Sequence, residues 1–246
     1  MPGPSILAVI PARFGSTRLP GKPLLPIGSQ SILERVWRQV RKAVRIQRVA
    51  IATDDRRIYD AAQAFGAEVF MTDPQHPSGT DRVAEVAAQT DARVVVNVQG
   101  DEPFLDPAAI DLALEPFLNG EGVPMSTLKT RFRDPSGAAD PNAVKVVTDH
   151  RGNALYFSRL PIPYAREKSE AGRFTWFKHL GLYVYERDFL LRYPALPRGP
   201  LEAAEKLEQL RALENGFPIR VIETASDSVG IDTEEDLARA RANLKE

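Results

Sequence analysis

Apolar runs of strand length alternate with amphipathic runs of helix length through the first half of the chain, the pattern of βαβ units and a largely parallel sheet. Strands are expected at Ile6 to Pro11, Arg48 to Thr53, Glu68 to Met71 and Arg93 to Gln99. The last holds Val94, Val95, Val96 and Val98, a β-branched run suited to a central strand buried on both faces. Ser31 with Glu34 forms a capping-box pattern that predicts a helix to about Val44, with Ile32, Val36 and Val40 on one face. Its other face carries Arg35, Arg38, Arg41, Lys42 and Arg45, a stripe that reads as a solvated helix face or as a phosphate or partner patch. Further helices are expected from about Arg56 to Phe65, stopped by Gly66, and from Thr80 to Ala88. The fold class is α/β.

The pattern changes after about Val123. Val144 to Thr148 and Ala154 to Ser158 flank Asp149-His150-Arg151-Gly152-Asn153, which predicts an antiparallel hairpin. Pro161, Pro163 and the aromatic stretch Phe174-Thr175-Trp176-Phe177 precede a strand from His179 to Tyr185, and these aromatics suit core packing or a subunit contact. Pro194, Pro197 and Pro200 lead into one helix expected from Leu201 to Glu214, followed by a strand from Ile219 to Glu223 and a last helix after Asp232. With neither repeat nor long linker, residues 1–246 read as one domain whose antiparallel part, about 123–190, is an insertion within the same folding unit.

Composition removes several function classes. The chain has no cysteine, hence no thiolate nucleophile and no thiolate metal site, and its three histidines, His76, His150 and His179, are too scattered for a zinc cage. Lys plus Arg number 32 against 33 Asp plus Glu, a balance that provides no general attraction for nucleic acid or an acidic membrane, so any anion must be bound locally. No run of about 18 apolar residues is present to insert in a membrane. A soluble, cytoplasmic protein is expected.

Three motifs carry chemistry. Residues 11–24, directly after the first strand, hold Arg13, Arg18 and Lys22 among Gly15, Ser16 and Gly21, in the loop position where open α/β sheets bind ligands. In physical terms this is a polyphosphate cradle, although a surface loop with incidental basic residues has the same composition. Its spacing fits neither G-x-x-x-x-G-K-[ST] nor G-x-G-x-x-G. The second motif is Val98-Gln99-Gly100-Asp101-Glu102-Pro103, where an acid after a buried strand can hold a hard cation and where the same residues also make a good turn. Magnesium suits a chain that offers carboxylates and no thiolate. The third is Gly230-Ile231-Asp232-Thr233-Glu234-Glu235-Asp236, in which Asp232 or Thr233 can cap the final helix or present a carboxylate to a metal.

Weaker candidates are His76 to Arg82, Phe157-Ser158-Arg159, Lys178-His179, and Glu205, Glu208, Gln209 and Arg211. The glutamates read as a solvated face and His179 as a structural histidine.

Together these blocks closely resemble the 3-deoxy-manno-octulosonate cytidylyltransferases, also called CMP-Kdo synthetases. The resemblance runs through Ile10 to Leu24, Ser78-Gly79-Thr80-Asp81-Arg82, Asn97 to Pro103, Pro141 to Val147 and Ala154 to Arg159. It continues through Lys178-His179-Leu180-Gly181, Pro200-Leu201-Glu202, Leu207 to Arg211 and Gly230 to Leu237, in unbroken order. CMP-sialic acid synthetases have a similar first loop but carry Lys-Asn where this chain has Lys22-Pro23.

The resemblance implies a nucleotide-diphospho-sugar transferase-like, Rossmann-like fold: a mixed, mostly parallel sheet flanked by helices, with an inserted antiparallel subdomain. It implies transfer of CMP from CTP to the anomeric hydroxyl of 3-deoxy-D-manno-octulosonate (Kdo), an acidic eight-carbon sugar, for lipopolysaccharide synthesis. Arg13 and Lys22, helped by Arg18, would stabilise triphosphate charge. Asp101 and Asp232 would hold magnesium, Asp101 also counting as catalytic. Ser78, Gly79 and Gln99 match the cytidine-reading side, and Arg159, His179 and Gln209 the sugar-binding side. A homodimer is implied, with the 161–177 stretch as its expected contact. The family also contains enzymes that act on an amino analogue of Kdo. A non-catalytic nucleotide-binding module is disfavoured by Lys22, Asp101 and Asp232 together, and a sugar-nucleotide glycosyltransferase by a basic loop suited to a triphosphate.

Overall fold

The computed structural model describes residues 3–15, 19–166, 175–228 and 230–244. The chain begins with β1 (Ile6–Ala12), a short β2 (Pro26–Ile27) and β3 (Gln30–Ser31) ribbon, and α1 (Ile32–Val40). Then β4 (Arg48–Thr53), α2 (Arg56–Ala64), β5 (Glu68–Met71), α3 (Gly79–Ala88), β6 (Val94–Asn97) and α4 (Pro107–Leu118) complete the alternating half. The second half holds β7 (Met125–Arg131), β8 (Lys145–Thr148), β9 (Ala154–Ser158), β10 (Phe177–Glu186) and α5 (Arg187–Arg192). It closes with α6 (Pro200–Glu205), α7 (Leu210–Glu214), β11 (Ile219–Glu223) and α8 (Glu234–Ala242).

The main sheet runs β11-β7-β10-β6-β1-β4-β5. β1 lies parallel to both β4 and β6, β4 to β5, and β7 to β11, while β10 is antiparallel to β6 and β7. The architecture is therefore the expected mixed, mostly parallel sheet. Alternation along β1 explains its central place: Ile6, Ala8 and Ile10 pack on one face and Leu7 and Val9 on the other, with helices covering both. Residues 123–190 divide between two roles, since β7 and β10 enter the main sheet while β8 and β9 form the antiparallel hairpin joined to β10.

Several boundaries differ from the sequence reading. α1 stops at Val40 rather than near Val44, because the backbone N–H groups of Val44 and Arg45 donate to Asp111 of α4 at 2.9 and 2.8 Å. Four of the cations expected on its outer face have local partners: Arg35 donates to the Ile27 carbonyl, Arg38 pairs with Glu34, Lys42 with the Gln39 amide, and Arg41 stacks over Trp37.

The single helix expected from Leu201 to Glu214 is two helices. Lys206 takes φ 54° and ψ 42°, the left-handed conformation, and ends α6. Leu207 and Gln209 are thereby turned into the protein, and Arg211 folds back onto Glu202 through two hydrogen bonds of 2.8 and 2.7 Å, both side chains being buried. That buried, bidentate pair compensates the local strain at Lys206. α4, α5, β7 and the short β2–β3 ribbon have no counterpart among the elements expected from the sequence.

Candidate active site

The carboxyl ends of β1 and β6, the start of α3 and the loop before α8 surround a cleft of about 500 Å³. Placing a ligand there follows from topology, since β1 and β6 are parallel neighbours from which the strand order runs in opposite directions, to β4 after β1 and to β7 after β6. Gly100 is required where β6 gives way to the acidic loop: a Cβ at this position would lie 2.9 Å from the Pro11 carbonyl oxygen. Gly21, at φ 68°, closes the basic loop by donating its N–H to the Phe14 carbonyl and opens a tight turn that begins at Lys22.

Lys22 is the electrostatic centre of this cleft. Its Nζ donates to Asp101 Oδ2 at 2.6 Å and to Asp232 Oδ1 at 3.0 Å. Burial pulls the ammonium downward, but the charges and hydrogen bonds of Asp101 and Asp232 outweigh it and hold its pKa above the ordinary lysine value. Two carboxylates separated by most of the chain thus converge on one cation. Arg13, Ser78, Gly79 and Gln99 line the same cleft, as do His76 and Arg82. Arg18 lies outside the described residues.

The two readings of the third motif resolve onto different residues. Thr233 and Asp236 form the capping box of α8, Thr233 Oγ1 accepting from the Asp236 N–H and Asp236 from the Thr233 N–H. Asp232 gives only its backbone N–H to this arrangement, and its carboxylate faces Lys22. The Ile231 N–H donates to the Asp101 carbonyl at 2.9 Å and fastens the two acidic loops together.

This donor set suits a hard divalent cation. It is all oxygen, and its convergence on the Lys22 ammonium marks a place where positive charge is stabilised. Among the described residues no cluster of three or more metal-ligating side chains occurs, so phosphate oxygens of a substrate would have to complete the coordination of an ion held by Asp101 and Asp232.

A second pocket of about 360 Å³ shares Gly79 and Gln99 with the cleft. His179 and Gln209 line it. The Thr127 hydroxyl lies 2.8 Å from the Leu182 carbonyl and 2.9 Å from His179 Nε2, so with its one proton donated to Leu182 it accepts the Nε2–H and leaves Nδ1 as an acceptor. Burial pushes His179 down to about 3, keeping the ring neutral. Gln209 is 4% exposed and its Nε2 has no hydrogen-bond partner among the described residues, nor has Asn97 Oδ1 in the same pocket. The wall of this pocket thus carries a buried donor and a buried acceptor without partners among the described residues.

The chain matches the Cytidylyltransferase family model over residues 7–225. A 3-deoxy-manno-octulosonate cytidylyltransferase from Solibacter usitatus is 57% identical over 240 residues, covering 98% of this chain and 94% of that protein. The chain belongs to this family. The relative of the same description from Trichlorobacter lovleyi is 51% identical, covering 98% of this chain and 99% of that protein. A solved CMP:2-keto-3-deoxy-manno-octonic acid synthetase, complexed with CTP, superposes with a TM-score of 0.92 at 42% identity, covering 97% of each chain.

Within this cytidylyltransferase framework the structure brings Arg13, Lys22, Ser78, Gly79, Gln99, Asp101 and Asp232 to one cleft, and His179 and Gln209 to the adjoining pocket. Arg159 stands apart: its guanidinium donates to the carbonyls of Glu205 and Pro141, outside the pocket lining. Lys178 and Lys206 supply cations to that lining instead. Lys178 was legible only as the neighbour of His179, and Lys206 was hidden within an expected helix.

The glutamates read as a solvated face are engaged. Glu205 accepts from Ser158 Oγ and the Arg159 N–H, and Glu208 lines the second pocket, its carboxyl raised by burial. Glu102 hydrogen bonds Ser228 at 2.6 Å, and burial raises its carboxyl to about 7.

Proposed function

We propose that this cytidylyltransferase transfers CMP from CTP to the anomeric hydroxyl of Kdo, forming CMP-Kdo and pyrophosphate and activating the sugar for lipopolysaccharide synthesis. The observation that carries the reading is the Lys22 ammonium held between Asp101 and Asp232, in a cleft continuous with a second polar pocket.

The triphosphate lies in the cleft, where Arg13 and Lys22 balance its charge, and Ser78, Gly79 and Gln99 address the cytidine. The acid sugar occupies the second pocket, with the neutral His179 ring and the Gln209 amide hydrogen bonding its hydroxyls. The anomeric oxygen forms a bond to the α-phosphorus, the bond from that phosphorus to the bridging oxygen of pyrophosphate breaks, and the hydroxyl proton passes to solvent. Lys22 exchanges carboxylate partners for phosphate oxygens as charge moves to the leaving group. Asp101 and Asp232 would hold magnesium, whose chemistry when bound is to neutralise phosphate charge and acidify the attacking hydroxyl.

No described helix is long and apolar enough to cross a membrane. On this reading the enzyme works in the cytoplasm, without nucleic acid, as a homodimer. The contact uses the 161–177 stretch, of which residues 167–174 lie outside the described residues, together with Leu155 and Leu160 beside it; Leu155, Leu160 and Tyr164 are 62, 70 and 84% exposed in the single chain. Light scattering should give twice the 27.2 kDa chain mass, and a mass of one chain would refute the dimer.

Incubation with CTP, Kdo and magnesium tests the reading. Pyrophosphate release that requires all three is expected. Release with another acid sugar but not Kdo moves the substrate assignment, and no release with any of them overturns it.

A further inference from the structure

Asp232 reaches Asp101 because the chain between β11 and α8 crosses over the acidic loop. Apart from the Ile231 N–H bond already described, side chains fasten this crossing. Ser226 Oγ bonds Asp106, and Ser228 Oγ donates to Glu102 Oε2 at 2.6 Å. Lys178 Nζ donates to Asp227 Oδ1 at 2.8 Å and to the Ser228 carbonyl at 3.4 Å. The fastening points are therefore the loop that carries Asp101 and one lysine on β10.

Lys178 and Asp227 are partly exposed, 22 and 34% at their side chains, and an ion pair so placed contributes little to stability. Its consequence is geometric. Without it, the segment leading to Asp232 is anchored near the metal-binding carboxylates by hydroxyl and backbone contacts alone. Lys178 also lines the second pocket, so one residue borders the proposed sugar side and supports the segment that leads to a metal-side carboxylate.

We propose that Lys178 and Ser228 are positioning residues that clasp Asp227 and Ser228 onto β10 and Glu102, hold Asp232 beside Asp101, and thereby set the divalent-cation affinity of the cleft. This rests on the cytidylyltransferase reading for the identity of the two carboxylates as metal holders. The role is that of a support for coordinating groups, whose loss commonly lowers metal affinity by about 10- to 100-fold.

The test is Mn²⁺ binding to the full-length protein in the presence of CTP and absence of sugar, followed by electron paramagnetic resonance, with CTP affinity measured alongside. Ser228→Ala and Lys178→Met should each weaken Mn²⁺ binding by about tenfold or more while CTP affinity changes little, and Lys178→Arg, which keeps the cation, should recover most of the loss. Lys178→Met should additionally raise the KM for the acid sugar, whereas Ser228→Ala should leave it unchanged. Unaltered Mn²⁺ affinity in both variants overturns the proposal, as does a loss in Lys178→Arg equal to that in Lys178→Met. Absence of pyrophosphate release by the wild-type protein contradicts the proposed reaction, which the Mn²⁺ measurement reads independently.

Discussion

The Lys22 ammonium donates to Asp101 at 2.6 Å across 79 positions of sequence. Removing it as Lys22→Met leaves two facing carboxylates without their shared cation and, on the proposed reaction, takes a positive charge from the triphosphate. Turnover should fall by about 10²- to 10³-fold, the usual loss for a group that stabilises transition-state charge. A pyrophosphate assay at saturating CTP checks this.

Gly100→Ala tests the close approach of the acidic loop to β1. The added Cβ would meet the Pro11 carbonyl oxygen at 2.9 Å, a backbone atom that cannot swing aside. The loop carrying Asp101 must shift, so turnover should drop sharply while overpacking lowers stability by about 1–3 kcal/mol. Urea unfolding combined with turnover separates the two effects.

Glu202→Gln should destabilise the protein by about 3–5 kcal/mol, because it leaves the buried Arg211 guanidinium without its carboxylate. Since this pair holds α7 against α6 beyond Lys206, the second pocket should suffer before the cleft does. The KM for Kdo should rise more than the KM for CTP in steady-state kinetics below the melting range.

His179 sets a pH dependence. Its ring has a folded pKa of about 3 against an ordinary value of 6.5, so below pH 6.5 the unfolded chain takes up a proton that the folded chain refuses. The stability it contributes is complete above pH 6.5 and is lost as pH falls toward 3, by up to about 1.4 kcal/mol per pH unit. Denaturant unfolding from pH 7 to 4 should show a shallower acid decline in His179→Gln than in the wild type.

The central strands of the first half were legible because burial on both faces leaves an apolar run, as in Val94 to Val96. The basic loop and the acidic motifs were legible because their chemistry is concentrated in a few consecutive positions. Convergence was not, since only the fold places Asp232 beside Asp101. Lys206 shows a second limit. Pro200 to Glu214 has ordinary helical composition, and the break arises from the tertiary Glu202–Arg211 pair and from the Tyr193 hydroxyl donating to the Glu208 carbonyl at 2.7 Å, interactions with no local signature. Arg159 illustrates a third: a suitable cation in a matching motif is engaged by the carbonyls of Pro141 and Glu205.

In the proposed reaction Asp101, held with Asp232 around Lys22, serves the transfer step rather than nucleotide capture. The most direct measurement is phosphorus NMR of CTP, Kdo and magnesium with wild-type protein and Asp101→Asn, with CTP affinity determined by calorimetry. CMP-Kdo and pyrophosphate resonances should grow together for the wild type, and turnover should be lower by at least about 10²-fold for Asp101→Asn with CTP affinity only modestly changed. Equal product formation by the two proteins, or pyrophosphate from the wild type without a CMP-sugar, would contradict it.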